Sequence, residues 1–135
     1  MAKEPGFAFA LSVDDASGTL RVLSNDFSSL QLATPRAVQD ITGLDKSAIE
    51  RQLLLADGST TLNAPALNDG ANASHAVFKT ISSTSVARTT TFALSGQTLS
   101  MEMLFTDYQI QRGTDGSFTF AVPGVLADGT VPTWS

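Results

Sequence analysis

The side chains best suited to chemistry are few in this sequence, and they are scattered. His75 is the single histidine among 135 residues, and there is no cysteine. A Ser-His-Asp site would have to use His75, yet no serine lies in a G-x-S-x-G turn. Zinc sites need several histidine or cysteine ligands, and these are absent. We therefore predict no catalytic site, no metal site and no cofactor, and we do not expect an enzyme.

The carboxylates suggest turns rather than a site. Thirteen acidic residues are spread along the chain and form no distinctive pair of the kind that hydrolyses sugars. Asp14-Asp15, with the following serine and glycine, supplies too few oxygen ligands for a calcium loop. The four Asp-Gly dipeptides, at 57, 69, 115 and 128, are typical of turns and do not form a glycine-rich phosphate cradle.

Composition narrows the possible partners. Charged residues make up only 16% of the chain, against the ~25% that is usual, so much of the surface must be small and neutral. A net charge of −5 argues against a protein that grips nucleic acid, because binding phosphates requires basic patches. We find no run near the ~20 apolar residues of a membrane span and no secretory segment. We expect one domain over 1–135, synthesis and assembly in the cytoplasm, and no membrane partner.

The region Ser85–Pro123 predicts an antiparallel meander. Arg88, Thr90 and Phe92 alternate with Thr89 and Thr91, which gives one apolar face and one small, threonine-rich face. Short polar breaks at 95–97 and 113–116 are the size of hairpin turns. Apolar parity changes between residues 105 and 108, which predicts a β-bulge near Thr106-Asp107; the alternative is that the strand ends there.

Further strands are predicted at Phe7–Val13, Thr19–Leu23, Phe27–Leu32 and Ser59–Ala64. The strongest helix pattern covers about 44–56, with Thr42 or Asp45 as N-cap. Its apolar stripe includes Ala48, Ile49 and Leu53, which we expect to pack across a sheet as a core helix. Residues 71–79 predict a second short helix or an ordered loop. The fold class is therefore mainly β, a sandwich or barrel with one flanking helix.

The single tryptophan, Trp134, lies one residue from the end. A terminal tryptophan left in water would expose a large apolar surface, so we expect it to dock either on its own chain or on a neighbouring subunit.

The chain resembles a family of tail proteins from long-tailed, siphovirus-like phages and prophages of actinobacterial hosts. The likeness spans nearly the whole chain, and its closing run is fairly specific. The residues that carry it are Thr34-Pro35-Arg36, QDITGLDKSA at 39–48, Glu50-Arg51, LLLAD at 53–57, Thr61-Leu62-Asn63, Ala73-Ser74-His75, Val77-Phe78-Lys79, SGQTL at 95–99, FTDY at 105–108 and PGVLADGTVPTW at 123–134.

The resemblance implies a tail tube subunit, also called a major tail protein. It implies a homo-oligomer of hexameric rings whose sheets join into an inner barrel, stacked into a tube by loops and terminal arms. The implied partners are a tape-measure protein, neck and baseplate proteins, and double-stranded DNA in non-specific passage. Terminator or baseplate roles stay open for such small tail proteins. A monomeric β-sandwich that binds carbohydrate is a further alternative, although one Trp and one Tyr make an aromatic platform hard to build.

The bore of such a tube is assigned from strand alternation alone. The small polar face of the meander contains the residues we expect to face the lumen, unless it is an ordinary solvated sheet face: Thr89, Thr91, Glu102, Ser117 and Thr119. A neutral or acidic wall suits DNA passage, because basic residues there would bind phosphates.

Overall fold

The computed structural model of the chain describes Gly6 and residues 9–135. Among these residues, ten strands and one short α-helix follow one another, with a 3-10 turn at Ser24–Asp26 between β2 and β3: β1 Ala10–Asp14, β2 Leu20–Val22, β3 Ser29–Ala33, β4 Arg36–Asp40, β5 Arg51–Ala56, β6 Ser59–Ala64, α1 Ser74–Phe78, β7 Arg88–Leu94, β8 Gln97–Phe105, β9 Gln109–Arg112 and β10 Phe118–Leu126. This confirms the mainly β fold class. The start of the predicted strand Phe7–Val13 lies outside the described residues.

Eight strands form one antiparallel sheet in the order β2-β1-β7-β8-β10-β6-β3, with β9 also paired to β10. Side chains from β1, β6, β7, β8 and β10 all enter one buried cluster. The strands β1 and β3 stand near opposite ends of this order, yet both line one groove. The sheet therefore curls into an open barrel around its core, and α1 packs on it through Val77 and Phe78.

The predicted meander is confirmed. Arg88, Thr90 and Phe92 are buried, whereas the residues between them are half-exposed. In β8 the buried positions alternate in the same way from Leu99 to Phe105. The turn between β7 and β8 has positive φ at Ser95 and Gly96, as a two-residue hairpin turn matched to strand twist requires.

The parity change after Phe105 is a strand end, the alternative to the predicted bulge. β8 ends at Phe105, β9 begins at Gln109, and both pair with the same edge of β10. The side chain of Asp107 accepts a hydrogen bond from the Tyr108 amide at 2.8 Å. Tyr108 then turns toward the core, with its ring centroid 5.1 Å from that of Phe120.

The predicted core helix over 44–56 is wrong. Residues 51–56 form β5, which pairs with β4, and Ala48 and Ile49 lie in the loop between these strands. Ile49 and Leu53 are 60% and 57% exposed, and Ala48 is also exposed. Thr42 does not cap a helix: its hydroxyl donates to Asp40 Oδ1 at 2.6 Å and accepts the Glu50 amide at 2.7 Å. Pairing with β4 outweighs the local helix pattern, because strand formation depends on context more than helix propensity does.

The predicted second helix is confirmed over a shorter span, Ser74–Phe78, and a buried charge fixes each of its ends. At the start, Asp26 accepts from the Ser74 amide at 2.9 Å and from Asn68 Nδ2 at 2.8 Å. At the end, the Arg88 guanidinium donates to the Val77 carbonyl and, at 2.7 Å, to Thr80 Oγ1. An anion at the N-terminus and a cation at the C-terminus both match the helix dipole.

Candidate interaction surfaces

Small hydroxyl side chains occupy much of the outer face of the curled sheet across β1, β7 and β8. Ser12, Thr91 and Ser100 stand side by side across β1, β7 and β8, and the Thr91 and Ser100 hydroxyls lie 3.4 Å apart. Directly opposite residues share a face of a sheet, so one row of hydroxyls crosses the three strands. Short hydroxyl side chains allow close approach by another surface without presenting a fixed charge.

One end of this face is acidic. Thr89 donates a hydrogen bond to Glu102 across the β7–β8 pair. Burial raises the pKa of Asp14, a hydrogen bond from Thr89 opposes this, and the charges of Glu102 and Asp15 raise the pKa further. Asp14 and Glu102 thus place two carboxyl groups where β1, β7 and β8 meet, and their mutual repulsion contributes to the raised pKa of Asp14.

Four of the five residues predicted to line a bore lie on the outer face of the sheet. Thr89, Thr91 and Glu102 are half-exposed on the outer face of β7 and β8. Thr119 is half-exposed on β10, where it pairs with Gln111 of β9. Ser117 lies in the preceding turn, and its hydroxyl donates to Asp115 Oδ1 at 2.8 Å, so it belongs to the turn and not to a strand.

A two-stranded ribbon, formed by β4, β5 and the connecting loop 41–50, extends beyond the sheet. It continues the β3–β6 pair, because Ala33 pairs with Ser59 and, after a break, Arg36 pairs with Ala56. The ribbon carries an unusual number of exposed large apolar side chains: Val38, Ile41, Leu44, Ile49, Leu53, Leu54 and Leu55. Leu44 at the tip is 108% exposed and Leu55 is 85% exposed. An isolated ribbon of this kind is marginal in water, and such a patch marks an interaction site.

Both edges of the main sheet are open in the described part of the chain. β2 pairs only with β1, and β3 pairs only with β6. The Leu23 amide donates to Leu11 O of β1 at 2.9 Å, so by alternation the amide of Val22 points away from β1, to the free edge of β2. The outer face of β2 carries Val22, which is 71% exposed. Each edge offers unpaired backbone groups that another strand can pair with.

The last residues fold back on the chain itself. Trp134 forms a bridge with Leu99, and Thr98 and Ser135 exchange two backbone hydrogen bonds of 2.9 and 3.0 Å. Leu99 is fully buried, whereas Trp134 is 40% exposed. The predicted docking of Trp134 thus occurs on its own sheet, and contact with a second subunit through its exposed part stays a prediction.

Among the described residues, the remaining titratable side chains are not arranged as a reactive site. Nδ1 of His75 lies 2.9 Å from the Tyr108 hydroxyl, and the two rings pack beside the core. Burial raises the pKa of Tyr108, and the charge of Asp69 adds to this. In the described ranges, no group of three His, Cys, Asp or Glu side chains is placed to hold a metal ion. No helix among these residues has the length and apolar character to cross a membrane.

No protein-family model and no curated protein matches the sequence. Solved structures do match the fold. A chain in the tail of an empty gene transfer agent (GTA) particle, refined with helical C6 symmetry, superposes with a TM-score of 0.78 at 12% identity, covering 98% of both chains. A chain in the virion of a native GTA particle gives 0.76 at 9% identity, covering 98% of this chain and 99% of the other.

A third match comes from the baseplate of the anti-feeding prophage, symmetrised six-fold, with a TM-score of 0.68 at 10% identity, covering 100% of this chain and 97% of the other. At these identities the likeness establishes the fold. The protein has the fold of chains found in tail and baseplate particles, over nearly its whole length.

Proposed function

We propose that this protein is a non-enzymatic structural subunit of a phage-type tail, located in the virion tail, and that it builds the tail tube. The observation that carries the proposal is the combination of two open sheet edges with an exposed apolar ribbon. A protein that works alone would have to cover these surfaces, since open edges and apolar patches promote association. The fold match to a chain in a C6 tail supports a repeating assembly.

In this proposal the sheet edges make the ring. Strand β2 of one copy lies beside β3 of the next, so each copy contributes two different edges to one closed contact. A head-to-tail contact of this kind closes into a ring when the rotation per copy divides a full turn. The six-fold symmetry of the similar particles supports a ring of six copies.

The outer face of the sheet then lines the conduit. Thr89, Thr91, Glu102 and Thr119 face the bore, which is first filled by a tape-measure protein and later carries double-stranded DNA. Neutral hydroxyls with a few carboxylates suit this role, because they offer phosphates no cation to bind. The net charge of −5 is consistent with such a wall.

Val22→Pro tests the ring contact. Proline removes the amide that points to the free edge of β2 and leaves the β1 side intact. We expect the variant to keep the circular dichroism spectrum and melting temperature of the unassembled protein and to lose ring formation in negative-stain micrographs. Normal rings from Val22→Pro, or a wild-type protein that stays monomeric at every concentration and inside the virion, would refute the tube proposal.

The baseplate match favours a second candidate, a subunit present only at one end of the tail. Labelling intact particles with an antibody to the purified protein separates the two. A tube subunit is labelled along the whole shaft of disrupted tails, whereas a baseplate or terminator subunit is labelled at a single position.

A further inference from the structure

The tip of the ribbon is a closed loop that presents an exposed leucine. Loop 41–50 is closed at its base, because the Ile41 amide donates to the Glu50 carbonyl at 2.9 Å and Thr42 bridges Asp40 and Glu50. Leu44 projects from this closed loop with its whole side chain in solvent. A fixed loop that presents a leucine has already lost the backbone entropy that docking would otherwise remove.

A groove at the other end of the same hairpin has the complementary character. Its apolar walls are Phe9, Leu11, Phe27 and Leu30, and its rim includes Ser28 and Ser29. None of the described residues that line it carries a charged side chain. An apolar floor with a hydroxyl rim is the usual composition of a site that accepts an aliphatic anchor.

The groove and the ribbon lie at opposite ends of β3. Ser29, at the start of β3, lines the groove, whereas Ala33, at its end, leads into the ribbon. The strand between them is about 13 Å long at ~3.3 Å per residue. Different surfaces at opposite ends of one element produce a head-to-tail contact, and its repetition by translation along β3 produces an open filament.

We infer that the ribbon tip of one copy, led by Leu44, docks in the Phe9–Leu30 groove of a second copy in the adjacent ring. The inference rests on the proposed tube and adds the contact that stacks its rings. A groove whose described lining is uncharged selects an apolar side chain, and the tip is the apolar surface that the fold places at the opposite end of β3.

Cysteine cross-linking tests this directly, because the sequence has no cysteine of its own. Leu44→Cys and Ser29→Cys proteins are mixed, assembled and mildly oxidised. We expect a dimer on a denaturing gel that forms only in tubes and is absent from unassembled protein. The control pairs Leu44→Cys with Val131→Cys, which is exposed on the C-terminal segment away from the groove, and should give no dimer.

Substitution supplies the second measurement. Burying a leucine is worth ~1.5–3 kcal/mol, so Leu44→Asp should raise the protein concentration needed for tubes by ~10–100-fold while rings still form. Leu44→Met should restore tubes, and Val131→Asp should change neither step. Tubes that form without the Leu44–Ser29 cross-link would overturn the docking and leave the tube proposal standing. Absence of rings and tubes altogether would overturn the tube proposal itself.

Discussion

Asp26 is predicted to anchor the loop and helix between β6 and β7. Its carboxylate is 9% exposed and accepts two hydrogen bonds, from the Ser74 amide and from Asn68 Nδ2. Asp26→Ala leaves both donors without a partner inside the protein. An unsatisfied buried donor costs about 1–3 kcal/mol, so we expect a loss of roughly 2–4 kcal/mol in the free energy of unfolding.

Urea unfolding of the unassembled protein measures this loss, and thermal unfolding should follow with a fall of about 10 °C. The matched control is Asp45→Ala, the same chemical change at an exposed position of the loop 41–50. Asp26→Asn should lie between the two, because its amide group can replace only one of the two acceptor oxygens.

Amide hydrogen exchange then locates the effect. Protection should fall first over residues 66–78, since Asp26 ties this segment to the turn at Ser24–Asp26. If the free energies of unfolding of the Asp26→Ala and wild-type proteins differ by less than about 0.5 kcal/mol, the anchoring role of Asp26 is refuted.

Three further predictions concern packing, pH and passage. Gly124→Ala would place a Cβ 2.8 Å from the ring of Phe105 and should cost about 1–3 kcal/mol of stability, read by urea unfolding. Hydrogen bonds from the Thr19 amide, then from Ser17 and Arg21, lower the pKa of Asp15 from 3.8 to about 2. Because its pKa is depressed, the Asp15 carboxylate stabilises the fold above pH 4 and ceases to do so as the pH falls toward 2. Asp15→Asn should therefore lose about 1 kcal/mol of stability at pH 7 and lack this part of the acid sensitivity. Glu102→Lys should leave tubes intact and reduce DNA delivery, measured as infectious titre per particle.

Each of these has a control. Phe105→Leu should relieve part of the cost of Gly124→Ala, and equal costs in both backgrounds would contradict the clash. An Asp15→Asn protein that loses stability between pH 4 and 2 as steeply as the wild type would contradict the assigned pKa. Asp69→Lys makes the same charge change in an exposed turn, and an equal loss of titre from it would contradict a bore position for Glu102.

The meander was predictable because each of its strands is buried on one face only. Alternation along β7 and β8 therefore records which residues enter the core. The strand Ser59–Ala64 was predicted with the observed limits for the same reason.

The ribbon was not predictable on the same assumption. The stripe Ala48, Ile49 and Leu53 is typical of a helix face that packs on the protein's own core, whereas these residues are exposed. Three consecutive leucines at 53–55 fit a strand as well as a helix, and the partner strand β4 lies more than ten residues away. A local pattern carries no information on such a pairing. The groove was also missed, since its walls come from segments that only the curled sheet brings together.

The ribbon strands β4 and β5 directly continue the sheet strands β3 and β6, with only short breaks at 34–35 and 57–58. The length of the ribbon is therefore set by the number of residues between the sheet and the ribbon tip. Two residues added to each of β4 and β5 would lengthen it by about 7 Å. The repeat distance of any assembly that uses the ribbon would then depend on the number of residues between Arg36 and Ala56.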